Sequence, residues 1–289
     1  MEEILYKNEK EIAILLATYN GGQYLDCQIQ SLIWQTNQDF TVYVHDDCST
    51  DNTLDIVNSY SEKYPGQFVV VKDMTTKGRG ARDSFFFLLE HIDSKYYMFC
   101  DQDDIWLPTK IELTSDRMKK EETRNPGVPI MVYSDLLLVD QKAVPTGQTL
   151  WEKAKMKSQW YDTIKANYVW LGRYWGCTIM MNKRAKDVSV PIDNRSYGHD
   201  IWVGLMVNLH QGKCVGMDCC TILYRQHSQN TSGGVPSFNG SDYYWKRLGK
   251  ILHFYHTNKK MYLLSHELAG CNVWQFVIAK LHLILGRFF

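Results

Sequence analysis

Apolar positions in the first hundred residues form short unbroken runs, and between those runs they recur at helical spacing. Ile12 to Ala17 is one such run, the pattern of a strand covered on both faces. Thr18-Tyr19-Asn20-Gly21-Gly22 breaks it, and Tyr24, Leu25, Ile29, Leu32 and Ile33 then fall on one helical face. Phe40 to Val44 and Phe68 to Val71 predict two more strands, separated by a helix carrying Leu54, Ile56 and Val57 that Ser49 or Thr50 can cap. A basic glycine turn, Lys77-Gly78-Arg79-Gly80-Ala81-Arg82, leads to a helix through Phe85, Phe86, Leu88 and Leu89. The fourth strand, through Tyr96-Tyr97-Met98-Phe99, runs straight into Cys100-Asp101-Gln102-Asp103-Asp104. Four strand-helix units in succession predict an α/β fold with a mainly parallel sheet and right-handed crossovers, whose ligands bind beyond the carboxyl ends of the strands.

After Pro126 the pattern loosens. Ile130–Ser134 and Leu136–Val139 read as strands of a mixed half-sheet, Gly176–Met181 as another, and Val215–Tyr224 as a returning strand. Between them Ser196-Tyr197-Gly198-His199-Asp200 opens a helix through Ile201, Trp202, Leu205 and Met206. From Tyr243 the chain reads as helical, beginning with the aromatic and basic mixture Tyr243–Lys250. Near its end Trp274, Ile278, Leu281, Leu285 and Phe288 share one face, with Lys280 and Arg287 toward the other. A bilayer span needs about 20 apolar residues, so this shorter, charged stretch predicts a helix lying on an anionic membrane surface or packed back on the domain. The expected organisation is one domain over residues 1–241, in halves that meet near residue 125, with a helical extension over 242–289.

Composition narrows the function classes. The chain has 289 residues, 45% hydrophobic and 13% aromatic, which predicts a folded domain with a sizeable core. Lys plus Arg and Asp plus Glu both number 32, so no global field for gripping nucleic acid exists and a nucleic-acid partner is not expected. Eight cysteines are scattered along a chain whose acidic start lacks a signal peptide, which predicts reduced thiols and a cytoplasmic location, peripheral on the membrane's inner face if the last helices touch it. Cys214, Cys219 and Cys220 with His227 lack zinc-type spacing and sit in strand-like segments, so core cysteines are expected.

The candidate chemistry lies at the strand ends. Asp101, Asp103 and Asp104 place three carboxylates within four residues, where they repel one another unless a cation or proton neutralises them. Mg²⁺ or Mn²⁺ held by one or two carboxylates plus substrate phosphates suits such a site. An EF-hand is excluded because its fifth and sixth positions would be Ile105 and Trp106, where an oxygen ligand and a glycine are required. A solvated acidic turn capping the next helix is the alternative. Polar clusters after the first, second and fourth strands fall on the same sheet edge and favour a binding site.

Taken together, Ala17-Thr18-Tyr19-Asn20-Gly21, Asp46-Asp47-Cys48-Ser49-Thr50-Asp51, Asp101-Gln102-Asp103-Asp104-Ile105-Trp106-Leu107-Pro108 and Tyr224-Arg225-Gln226-His227 resemble the family 2 glycosyltransferases with a GT-A fold, and most of all their bacterial rhamnosyltransferase-like branch. The resemblance implies a Rossmann-like nucleotide-binding half over 1–125, an acceptor-binding half over 126–241, and a metal-dependent, inverting sugar transfer in surface polysaccharide biosynthesis. It places Thr18, Tyr19, Asn20, Asp47, Ser49, Arg82, Asp101 and Arg225 at the nucleotide sugar, with Asp47 accepting the N3–H of a pyrimidine. Asp101, Asp103 and His227 would hold Mn²⁺ or Mg²⁺, and Asp104 would position the loop. Asp200 is implied as general base, and Trp175, Gly176, Cys177 and His199 as the border of the acceptor pocket. His199 stands where the family often has an acidic residue, and Cys48 where it commonly has glycine. The implied donor is dTDP-L-rhamnose, then a UDP-hexose, and the implied acceptor a lipid-linked saccharide; oligomeric state stays open. Two rivals remain at this point. A nucleotidyltransferase needs a basic phosphate loop after the first strand, which is missing, and a non-catalytic sugar-nucleotide-binding module would be indifferent to Asp200→Asn.

Overall fold

A computed structural model describes residues 5–73, 75, 77–154, 174–193, 195–196, 198–227, 258–268 and 270–285. Its centre is the first apolar run, β1 (Ile12–Thr18), buried at every residue. Parallel neighbours flank it on both sides, β2 (Phe40–Asp46) with Thr18 opposite Asp46 and β4 (Tyr96–Cys100) with Leu16 opposite Cys100. The short β3 (Phe68–Val70) extends the sheet beyond β2. This register brings Thr18, Asp46 and the residues after Cys100 to one rim.

Alternation along these strands feeds two cores. Ile12, Ile14, Leu16, Val42 and Met98 face α1 (Leu25–Ile33), while Ala13, Leu15, Tyr43, Tyr97 and Phe99 face α3 (Ala81–His91) with its Phe85, Phe86 and Leu89. Each large side chain so buried stabilises the fold by about 1.5–3 kcal/mol. Between them in sequence, α2 (Thr53–Lys63) follows Asn52, which makes no side-chain capping bond. The cap expected from Ser49 or Thr50 is therefore absent: Asp51 accepts the Thr53 N–H at 3.0 Å, and Ser49 is drawn instead to Asp46.

Among the described residues the second half completes a nine-stranded mixed sheet in the order β3-β2-β1-β4-β8-β6-β9-β5. Its members are β5 (Ile105–Trp106), β6 (Ile130–Val139), β7 (Pro145–Thr149), β8 (Met180–Asn182) and β9 (Lys213–Arg225), with β7 pairing on β6. The antiparallel β8 bridges β4 and β6, and β9 runs parallel to β6. The pair β5–β9 aligns Leu223 with Ile105 and so sets the end of β9 beside the acidic cluster.

Two expectations for this half change. Residues 130–139 form one strand rather than two, because the polar pair at its middle is satisfied in place: Ser134 Oγ meets Thr221 Oγ1 at 2.6 Å, and Asp135 accepts the N–H groups of Leu136 and Trp151. Gly176–Thr178 is a 3₁₀ turn before β8, closed by Thr178 donating to the Trp175 carbonyl through both N–H and hydroxyl.

Helices α4 (Lys110–Arg124), α5 (Leu150–Ala154), α6 (Lys183–Ser189) and α7 (His199–Leu209) pack around the sheet. Residues 258–268 and Val273–Leu285 are helical, interrupted at 270–272. Phe276 is buried against Tyr262, while Trp274, Ile278 and Leu281 are 72%, 63% and 51% exposed. Among the described residues this face is thus not packed back on the domain, and no helix is long and apolar enough to cross a membrane. The boundary expected near residue 241, the stretch Tyr243–Lys250, and the side chains of Lys280, Leu285, Arg287 and Phe288 lie outside the described residues.

Candidate active site

The loops after β1 and β2 are joined through Asp46. Its carboxylate accepts from Thr18 Oγ1 at 2.8 Å and from Ser49 N and Oγ at 2.9 and 2.6 Å. Asn20 N donates to Ser49 Oγ, and Asn20 Oδ1 accepts from Thr50 N, both at 2.8 Å. Thr18, Asn20 and Ser49 therefore build the rim's scaffold, with Asp46 as a hub that sequence reasoning passed over. Cys48 adopts φ 65°, the left-handed conformation that glycine takes without strain. Tyr19 projects from this scaffold, 56% exposed.

Asp47 is buried, and its oxygens accept the backbone N–H groups of Arg79 and Gly80 at 2.5 and 2.8 Å. Arg79 forks onto Asp73, which also meets His45 Nε2 at 3.0 Å. The Arg79 guanidinium, then the Thr75 N–H and His45, hold the Asp73 carboxyl well below the usual carboxylate range. Arg79 is thus paired with Asp73. A cavity of about 300 Å³ opens between these loops, lined by Asp47, Cys48, Leu54, Val70 and Asp73 among others.

The acidic cluster lies beside the end of β9. His227 Nε2 meets Asp103 Oδ2 at 2.7 Å, and its ring packs on Tyr24 with centroids 4.9 Å apart. Arg225 is buried, donating from Nε to the Asp103 carbonyl and from Nη1 to the Gln141 carbonyl, each at 2.8 Å, while its own N–H meets Asp104 Oδ1 at 3.2 Å. Asp104 is fully buried, its carboxyl pushed well up by burial and then by Asp103 and Asp101. Burial, followed by repulsion from Asp103 and Asp200, pushes Asp101 up to about 7. The donor atoms of Asp101, Asp104 and Cys177 lie within 4.8 Å of one another, and burial keeps the Cys177 thiol protonated by pushing it well above its ordinary value. Carboxylates are the hard ligands that suit Mn²⁺ or Mg²⁺ and an imidazole is a borderline one, so the repelling Asp101 and Asp103 with His227 fit such an ion, whereas the Cys177 thiol does not. Tyr24, at an ordinary apolar helix position, gave no sign in the sequence of its place under His227.

Asp200 occupies the first turn of α7, where Oδ1 accepts the Ile201 N–H at 2.7 Å, and burial pushes its carboxyl up to about 6. Asp200 also accepts the Gly176 N–H, and the adjacent Cys177 lies with Asp101 and Asp104, which sets this helix start beside the acidic cluster. His199 lies among Phe85, Phe86 and Phe99, with the Phe85 centroid 4.1 Å away, and burial lowers it to about 3, so its ring is neutral. A Cβ on Gly176 would stand 2.3 Å from His199 Nε2, so glycine makes room for this ring. Trp175 is partly buried against the core, and Arg82 donates from Nη1 to the Ser196 carbonyl at 2.7 Å. The structure thus brings Asp101, Asp103, His227 and Asp200 to one rim. Arg82, Arg225, His199 and Cys177 are engaged by protein groups there.

Comparison with known proteins bears on the family and the fold. The model of "Glycosyl transferase family 2" matches residues 13–185. The chain is 28% identical over 247 residues to the dTDP-rhamnosyl transferase RfbG of Shigella flexneri, covering 82% of this chain and 78% of the relative. The crystal structure of S. aureus TarS 1–349 in complex with UDP superposes with a TM-score of 0.56 at 17% identity, over 75% of this chain and 61% of that one, so the chain spans less than two thirds of that structure. Mannosyltransferase PcManGT from Pyrobaculum calidifontis, in complex with GDP-Man and Mn²⁺, superposes with a TM-score of 0.53 at 13% identity, covering 98% and 77%. The fold is GT-A, and with more than half of its length matched by the family model, the chain belongs to glycosyl transferase family 2.

Proposed function

We propose that the chain transfers a sugar, with inversion, from a nucleoside diphosphate donor to a saccharide acceptor in bacterial surface polysaccharide synthesis. The carrying observation is the contact of His227 with Asp103 beside Asp101, on the rim that also holds Asp200. Asp47, lining the cavity after β2, accepts the N3–H of a pyrimidine base, and Tyr19 flanks that base. Asp101, Asp103 and His227 would hold a divalent ion, and Mn²⁺ or Mg²⁺ there would supply positive charge to the departing diphosphate.

Asp200 accepts the proton from the acceptor hydroxyl as that oxygen attacks the anomeric carbon. The new C–O bond forms opposite the bond to the leaving phosphate, so the anomeric centre inverts. Arg225 keeps the Asp103–Asp104 loop in place from behind. The donor we favour is dTDP-L-rhamnose, supported by the likeness to RfbG, ahead of a UDP-hexose. The acceptor is lipid-linked, and the exposed face of Trp274, Ile278 and Leu281 rests on the inner membrane surface that carries it.

The test incubates the protein with Mn²⁺ and a panel of nucleotide sugars, with and without lipid-linked acceptors, and follows nucleoside diphosphate release. Release from dTDP-rhamnose above all others supports the full reading. Absence of release from every donor contradicts it.

A further inference from the structure

Gln102 stands between Asp101 and Asp103 of the acidic cluster, and its side chain pairs with the loop after β1. Tyr19 N donates to Gln102 Oε1 at 2.8 Å, and Gln102 Nε2 donates to the Tyr19 carbonyl at 2.9 Å. The side-chain amide thus pairs with one residue's main chain as a neighbouring strand would. The far side of the same loop is fixed separately, by Gly21 N on Thr53 Oγ1 at 2.9 Å and by Gly22 N on Asp51 Oδ2 at 3.0 Å.

Gly21 completes the arrangement. A Cβ there would stand 2.1 Å from Gln102 Oε1 and 2.4 Å from its Cδ. Its φ lies outside the left-handed range, so the backbone itself tolerates alanine and the space taken by Gln102 is what calls for glycine. Since the obstructed atoms are the free end of a flexible side chain, a methyl group at Gly21 would displace the amide rather than unfold the domain.

We infer that Gln102 is a positioning residue that sets the base-flanking Tyr19 in register with the carboxylates on either side of it, Gly21 being its obligatory partner. The inference rests on the nucleotide-sugar reading above and deepens it. Two hydrogen bonds from the middle of the acidic motif lock the loop that meets the base to the loop that meets the diphosphate. Without them the nucleotide meets two loops that move independently, and ordering them weakens binding.

The experiment is calorimetric titration of UDP and of dTDP, each with MnCl₂, into the wild type, Gln102→Met, Gly21→Ala and the double variant. Methionine keeps the volume of glutamine and removes both hydrogen bonds. The expected result is a loss of about tenfold in affinity for either single variant, the scale of two neutral hydrogen bonds, with the melting temperature lowered by only about a few degrees and to a similar extent in both. The double variant should lose no more than one single variant does, because both changes break the same contact. In turnover with the preferred donor, its KM should rise while kcat is kept.

Wild-type affinity in Gln102→Met, or losses that multiply in the double variant, would overturn the inference while leaving the nucleotide reading intact. Failure of the wild type to bind either nucleoside diphosphate would remove both.

Discussion

His227 and Asp103 touch across 124 residues of sequence, with Nε2 2.7 Å from Oδ2, because β5 and β9 pair antiparallel and carry the end of one strand to the start of the other. The Tyr24 ring holds the imidazole from the side. If this pair is a ligand set, His227→Ala should raise the Mn²⁺ concentration for half-maximal nucleoside diphosphate release by at least about tenfold, and Asp103→Asn by more. A metal titration of turnover reads this directly. An unchanged Mn²⁺ requirement in His227→Ala would leave the imidazole with a structural role only.

Arg225 predicts a different phenotype from a phosphate-binding arginine. Its guanidinium is buried and engaged by the carbonyls of Asp103 and Gln141. Lysine cannot reproduce that fork, so Arg225→Lys should destabilise the fold by about 2–4 kcal/mol, the scale of buried charge-assisted hydrogen bonds. Chemical denaturation measures it. A variant of wild-type stability with a raised donor KM would instead return Arg225 to the phosphates.

Much of the site was legible because the same physics makes strands and sites in this fold. Continuous apolar runs mark strands covered on both faces, so the polar residues that end them, Thr18, Asp46, Asp47 and Asp101, collect at one edge by register. Four motifs in order then carried the family. The parts that stayed hidden depend on pairings between distant residues. Tyr24 under His227 and Gln102 against Tyr19 occupy positions whose local pattern is that of an apolar helix residue and a motif's variable middle. The mid-strand pair Ser134-Asp135 resembled a break because its partners, Thr221 and Trp151, come from elsewhere in the chain. Asp51, not Ser49, serves the first turn of α2 because Asp46 competes for the serine.

The pH dependence should separate Asp200 from its neighbour His199. Burial holds Asp200 up at about 6, and a general base must be ionised, so kcat should fall on the acid side with an apparent pKa near 6 and level off above it. His199 is already neutral across this range, so His199→Gln should leave the position of that limb unchanged. A raised carboxyl pKa means that the folded state binds the proton more tightly than the unfolded state. Asp200's contribution to stability is therefore greatest in acid and is lost as pH rises through about 6. Asp200→Asn should accordingly melt higher than wild type at pH 7.5, with the gap narrowing toward pH 5. Rates that stay level down to pH 5, or a melting difference that widens in acid, would contradict the assignment.

Asp200→Asn also tests the account as a whole, when donor binding and sugar transfer are measured on the same sample with Mn²⁺ present. Donor affinity should stay close to wild type, since Asp47, Asp101, Asp103 and His227 are intact, while turnover falls by about 10²–10⁴-fold, the usual contribution of a positioned general base. Transfer at the wild-type rate would contradict the claim that this rim of the sheet is where the sugar changes hands.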